Sequence, residues 1–379
     1  MHGRLAPAGA LAAVAPGAPP SAAPPPEPLA TPRPGRLGLQ ARLSWRFRSA
    51  SPVTGAPGVS SSGRVYVTSV EGYVHALGPD GGFRWSYGVG GVPLGSPAVD
   101  ADGQVYVATS EGRLLALRPD GRLAWALTAR GRLAAAPIWA DGVLYFTGRD
   151  RGLYGVAATG GPPSRRDLGE PASASLASLG GGLLALGTSA GGALLYRRTE
   201  RVAKLELGGD LSQPLLGAGE RCFAVTAGGI TAFDPATGAV LWSAPARRAA
   251  LSPDRRSLVI EAEHELRWLS PQTGEVLGRA RLPGDASAPP ALTDAGAALV
   301  PLVSGELWVV DLLVAGAATV AVGPAPLWAP VNDPARGRVL VTAGGWVAAV
   351  ELEGGAGPSG AGSAAPGGPL GDAGPGGGQ

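Results

Sequence analysis

The sequence predicts an all-β fold, an eight-bladed β-propeller built from four-stranded antiparallel blades. Three observations carry the prediction. Trp45, Trp85 and Trp125 are spaced by forty residues, and Pro57, Pro97, Pro137 and Gly72, Gly112, Gly152 keep the same step in phase, as do Tyr66 and Tyr106. A period near forty fits propeller blades or helical repeats. The local pattern decides between them: short β-branched and aromatic runs alternate with Asp-Gly or Gly-rich turns, and no window carries a helical period free of Gly or Pro. The 62 glycines and 37 prolines make up about a quarter of the 379 residues, which in a folded chain means many turns.

The elements follow in order. Residues 1–41 are Ala/Pro/Gly-rich, with Pro24, Pro25 and Pro26 consecutive. They are expected to be a disordered leader and linker, because they cannot bury enough apolar surface to offset their ordering entropy. Arg4 followed by the apolar run Leu5–Ala15 matches a short signal-peptide core, although Pro7 and Gly9 interrupt it. A signal peptide, a plain leader and a mis-assigned start all remain open. Residues 42–352 form the propeller. Arg42–Phe47 reads as a Trp-bearing strand, expected to complete the last blade and so close the ring. Val105–Val107, the turn Ser110–Arg113 and Leu114–Leu117 show the strand–turn–strand unit at its clearest. Asp80-Gly81, Asp102-Gly103, Asp120-Gly121 and Asp141-Gly142 are hairpin signals.

Later units decay but persist at Gly181–Tyr196, Cys222–Trp242, Ser257–Leu277, Ala298–Asp311 and Arg338–Glu351. Eight units over residues 42–352 give about 39 residues each, the size of a four-stranded blade. Residues 353–379 are nearly all Gly, Ala, Pro and Ser and are expected to be a disordered tail.

The segments LRPDGRLAW (117–125) and AFDPATGAVLW (232–242) resemble the repeat of the pyrroloquinoline-quinone-type (PQQ-like) eight-bladed propellers. In that family the terminal Trp docks neighbouring blades, and the resemblance assigns Trp45, Trp85, Trp125 and Trp242 to blade docking. Arg165 falls near where another Trp is expected, and Gly278 takes the place corresponding to Trp242 one unit later. The family divides into quinoprotein dehydrogenases, with quinone and calcium in the central funnel, and cofactor-free protein-binding propellers. The second branch includes the accessory lipoprotein of the outer-membrane barrel-assembly machine. Its lipid-bearing N-terminal cysteine has no counterpart in this sequence.

Composition excludes several function classes. Charged residues are 16% of the chain and nearly balanced at +2, so no basic stripe for nucleic acid stands out. A single cysteine, Cys222, excludes an intramolecular disulfide and the vicinal cysteine pair that many quinoproteins carry. No apolar run is long enough for a membrane-spanning helix. His75 reads as a strand residue and Cys222 as a buried inert thiol. The acid–histidine cluster Glu261, Glu263, His264 and Glu265 reads as a solvated hairpin with its glutamates on one strand face. Nine arginines between Arg130 and Arg201, with five acids among them, make the most basic sector.

The sequence therefore leads to a non-enzymatic protein-binding scaffold with no cofactor and no metal. It is expected to be a monomeric ring with other proteins as partners, periplasmic or extracytoplasmic, or cytoplasmic if the N-terminal run is not a signal. The alternative is a small-ligand site or a quinoprotein-type enzyme in the central funnel.

Overall fold

The computed structural model describes residues 40–198, 200–294, 296–311, 317–323 and 328–353. The leader and tail assigned above lie outside the described residues, apart from the few that join strands. Eight four-stranded antiparallel sheets follow one another along the chain. Blades one to seven occupy 58–88, 98–128, 138–167, 172–206, 216–244, 248–281 and 291–321. Blade eight is composite: Val331–Asp333, Arg338–Ala343 and Trp346–Glu353 are joined on the outside by Gln40–Arg48, the first strand of the chain.

That first strand starts two residues earlier than expected. It pairs antiparallel with Trp346–Glu353 from Gln40↔Glu353 to Arg48↔Trp346, with a bulge between Leu43 and Trp45. Ser44 Oγ and Arg42 Nη2 both reach the Glu351 carboxylate at 2.8 Å, tying the start of the chain to its end. These hydrogen bonds, Ser44's first, hold the Glu351 carboxyl below its ordinary pKa.

Each blade carries a radial gradient. Innermost strands are short, as in Gly58–Val59 and Ala98–Val99, except for Ala172–Gly180 in blade four. The second strands, such as Val65–Ser69 and Leu183–Thr188, are buried along their whole length. A strand covered on both faces reads as a continuous apolar run and not as an alternation. Outer strands are the most exposed: Gln40–Arg48 alternates between exposed and half-buried, and Ser164–Asp167 is exposed throughout.

The core is accordingly distributed. Eight apolar clusters lie between consecutive blades, one per junction, from Val53, Val65, Leu340 and Val347 between blades eight and one round to Leu299, Val309, Val339 and Val341 between seven and eight. A lone four-stranded sheet leaves one or both faces wet; stacking in a closed circle covers every face.

The turns separate into two kinds. At Asp141-Gly142 both residues have positive φ (48° and 80°), which defines a two-residue type I′ hairpin. Glu263-His264 does the same with φ of 51° and 64°. At Asp80-Gly81, Asp102-Gly103 and Asp120-Gly121 only the glycine is left-handed, as in a type I turn closed by an αL residue.

Candidate functional site

The four tryptophans singled out in the sequence occupy one register position. Trp85, Trp125, Trp242 and Trp45 stand on outer strands opposite Ala76, Ala116, Ala232 and Ala349. Each is half-buried. Each indole N–H donates to a backbone carbonyl in the next blade: Trp45 to Pro79 at 3.0 Å, Trp85 to Pro119 at 2.9 Å, Trp125 to Ala158 at 2.7 Å and Trp242 to Pro271 at 3.3 Å. The receiving turn has a glycine beneath the ring. A Cβ on Gly81, Gly121, Gly160 or Gly274 would stand 2.5–2.9 Å from the indole, closer than packing tolerates.

A second donor converges on three of these carbonyls. Arg338 Nη1 donates to Pro79 O, Arg64 Nη1 to Pro119 O at 2.8 Å and Gln104 Nε2 to Ala158 O at 3.0 Å. These residues share one position, at the start of each blade's second strand, so each carbonyl uses both lone pairs across a blade boundary. Arg338 also stacks 5.6 Å above the Trp45 ring and pairs at 2.9 Å with Asp333, both side chains being almost fully buried. This second donor is not legible in the sequence, because Arg, Gln and Arg at one position do not read as a repeat.

The remaining blades depart from the pattern. In blade three the register places Ser164, opposite Gly155, where the indole stands elsewhere. Arg165 is one residue off and belongs to the other face, where it pairs with Tyr154 and sits 3.4 Å from Asp150. Blade four has Ala203 opposite Leu195, and blade seven Ala318 opposite Val309. Blade six has Gly278 at the position, as expected, and Trp268 opposite it on the neighbouring strand; a Cβ on Gly278 would touch that ring at 3.4 Å.

The other candidates separate in space. His75 is half-buried beside Phe47 and Tyr73, and burial lowers its pKa against the opposing charge of Glu71. Cys222 is fully buried, its sulfur 3.7 Å from the Phe233 carbonyl, and burial pushes its thiol up to about 12. A thiol held protonated is no nucleophile. The acid–histidine cluster is not uniformly solvated: Glu263 and His264 form the exposed turn, but Glu261 is 5% exposed and is held by Arg248 at 2.6 Å. His264 faces Asp285 at 3.1 Å instead. Together they border a hollow of about 530 Å³ with Arg247 and Ser212. Among the described residues no group of three or more His, Cys, Asp or Glu side chains is placed to hold a metal ion. Nor is any helix among them long and apolar enough to cross a membrane.

Two arginines of the basic sector, Arg197 and Arg198, line clefts flanking blade four. One, of about 800 Å³, lies between blades three and four and is lined by Asp141, Ser164, Arg197 and Arg198. The other, of about 600 Å³, lies between blades four and five; the two share Gly181 and Arg197. Both stand at junctions where blades three and four offer no indole.

Comparison with known proteins places this geometry. The crystal structure of BamB from Moraxella catarrhalis superimposes with a TM-score of 0.68 at 13% identity, covering 82% of this chain and all of that one. The crystal structure of the computationally designed Ika8 protein superimposes with a TM-score of 0.67 at 15% identity, covering 80% of this chain and 96% of that one. At such identities the likeness is one of fold. No curated protein sequence matches the chain. A family model described as outer membrane protein assembly factor BamB matches residues 90–200, 154–295 and 226–356, most of the ring. A ring of PQQ-like repeats that this model follows through overlapping matches from residue 90 to residue 356 belongs to the BamB outer membrane protein assembly factor family.

Proposed function

We propose that the protein is a non-enzymatic binding scaffold of the bacterial cell envelope, acting with protein partners in outer-membrane protein assembly. The observation that carries this reading is the family match across residues 90–356, on a ring whose conspicuous residues are spent on its own construction. Trp45, Trp85, Trp125 and Trp242 join blades, Cys222 is buried and protonated, and Glu261 is neutralised by Arg248. What remains for function is surface: two ring faces and eight outer strands. In this role the protein is extracytoplasmic and needs no cofactor.

The test is affinity capture on the immobilised full chain from envelope extracts, alongside metal and absorbance analysis of the purified protein. Retention of outer-membrane assembly components, with neither bound calcium nor a quinone chromophore, is the expected result. Retention of no protein by a chain that copurifies with a quinone would overturn the scaffold reading in favour of redox chemistry in the funnel.

A further inference from the structure

The junction between blades four and five keeps the receiving half of an indole clasp and lacks the donating half. Blade five presents the turn Asp234-Pro235-Ala236-Thr237-Gly238; blade six presents Ser270-Pro271-Gln272-Thr273-Gly274. Both turns close by the same bond, Gly238 N to Asp234 O at 2.8 Å and Gly274 N to Ser270 O at 2.9 Å, and their glycines have φ of 74° and 73°. Pro271 O accepts the Trp242 indole; among the described residues, Pro235 O receives no side-chain donor. The reason lies in blade four, which has Ala203 at the indole position and Leu183 where blades one and eight have Arg64 and Arg338.

A cleft of about 600 Å³ opens between Leu183 and this turn, bordered by Pro235, Leu241, Arg197, Arg221 and Arg255. The Lys204 carbonyl and Leu205 close the space over Gly238, so entry is from the side of Leu241, which is 44% exposed. Arg221 Nε is buried there without an acceptor among the described residues.

We propose that this cleft receives a tryptophan side chain carried on an extended, acidic segment of a partner protein, the indole N–H donating to Pro235 O. The inference rests on the scaffold reading and gives its partner a chemistry. An indole is the guest that equivalent turns of this same ring already hold. Guanidinium groups favour an aromatic face, as Arg338 does over Trp45, whereas three arginines at the rim repel an arginine guest. Arg197, Arg221 and Arg255 outnumber the lining acids Glu220 and Asp234, which selects acidic residues flanking the indole. Residues 1–39 and 354–379 contain no tryptophan.

The experiment is calorimetric titration of the full chain with acetyl-Glu-Leu-Trp-Leu-Glu-amide and with its Trp→Ala counterpart. The tryptophan peptide should bind at least about tenfold more tightly. Ala203→Trp, which rebuilds the clasp from within, and Leu241→Glu, at an exposed position, should each weaken it by about the same factor. Equal affinity for the two peptides, no binding of the tryptophan peptide, or unchanged binding by folded Leu241→Glu would overturn the proposal. So would self-association that Leu241→Glu abolishes, which would make a second copy the occupant. None of these outcomes touches the capture experiment above, which reads the whole surface.

Discussion

At the scale of single residues, the ring uses few side chains for large effects. Trp85 combines half-buried apolar area, a 2.9 Å bond to Pro119 O and contact over Gly121. Trp85→Ala should lower unfolding free energy by about 2–3 kcal/mol in chemical denaturation, below the cost of a fully enclosed indole. A change near zero would remove its docking role. Arg338→Ala removes the nearer of two cations beside the buried Asp333, leaving Arg336 at 3.6 Å, and a loss of about 3 kcal/mol is expected. Arg338→Lys should recover only part, since one ammonium cannot reproduce the guanidinium's contacts to Asp333, Pro79 and Gly63. Cys222 gives a pH signature. Its folded pKa of about 12 lies above the ordinary 9.0, so its contribution is complete below pH 9. Above pH 9 the unfolded thiol ionises while the folded one stays protonated, so stability falls until about pH 12. Cys222→Ala should flatten that alkaline slope, read as Tm against pH.

At the scale of elements, the outer strand of blade eight is the closure. Deleting residues 40–48 removes Trp45 and Phe47 from the junction of blades eight and one, Ala41 and Leu43 from that of seven and eight, and the Glu351 contacts in one step. It should abolish cooperative folding, whereas deleting 1–38 should leave Tm within about 2 °C. Equal melting of the two truncations would exclude closure by this strand. Glu351 adds an acid-side term. Its depressed pKa means that the stabilisation is present above the ordinary value of 4.5 and is lost as pH falls through the folded value. Glu351→Gln should remove that part of the acid dependence.

At the scale of the whole molecule, no blade owns a core, because every apolar cluster is shared by two blades. Nearest-neighbour coupling round a closed ring should give one calorimetric transition, with equal calorimetric and van't Hoff enthalpies. Trp85→Ala should shift that transition without splitting it; two separated transitions would mean that the ring opens into independent arcs.

The sequence by itself determined the repeat, the number of blades, the strand–turn–strand unit and the strand that closes the circle. These rest on local chemistry: period-two burial, turn residues and one indole every forty residues leave traces within a single unit. Only the tertiary structure decided which residues meet across a junction. Arg338 and Trp45 converge on Pro79 from opposite ends of the chain, and nothing in the sequence near any of them announces it. Arg165 was off by one because the length of the turn before it sets the strand register, and one residue of slip moves a side chain to the other face. Glu261, Glu263 and Glu265 do not share one strand face as expected: the turn at Glu263-His264 divides them between two strands, and Glu261 is buried against Arg248. The cleft beside Pro235 was invisible for the same reason: which groups border it, and that Leu205 fills the place over Gly238, is settled only once the blades are packed.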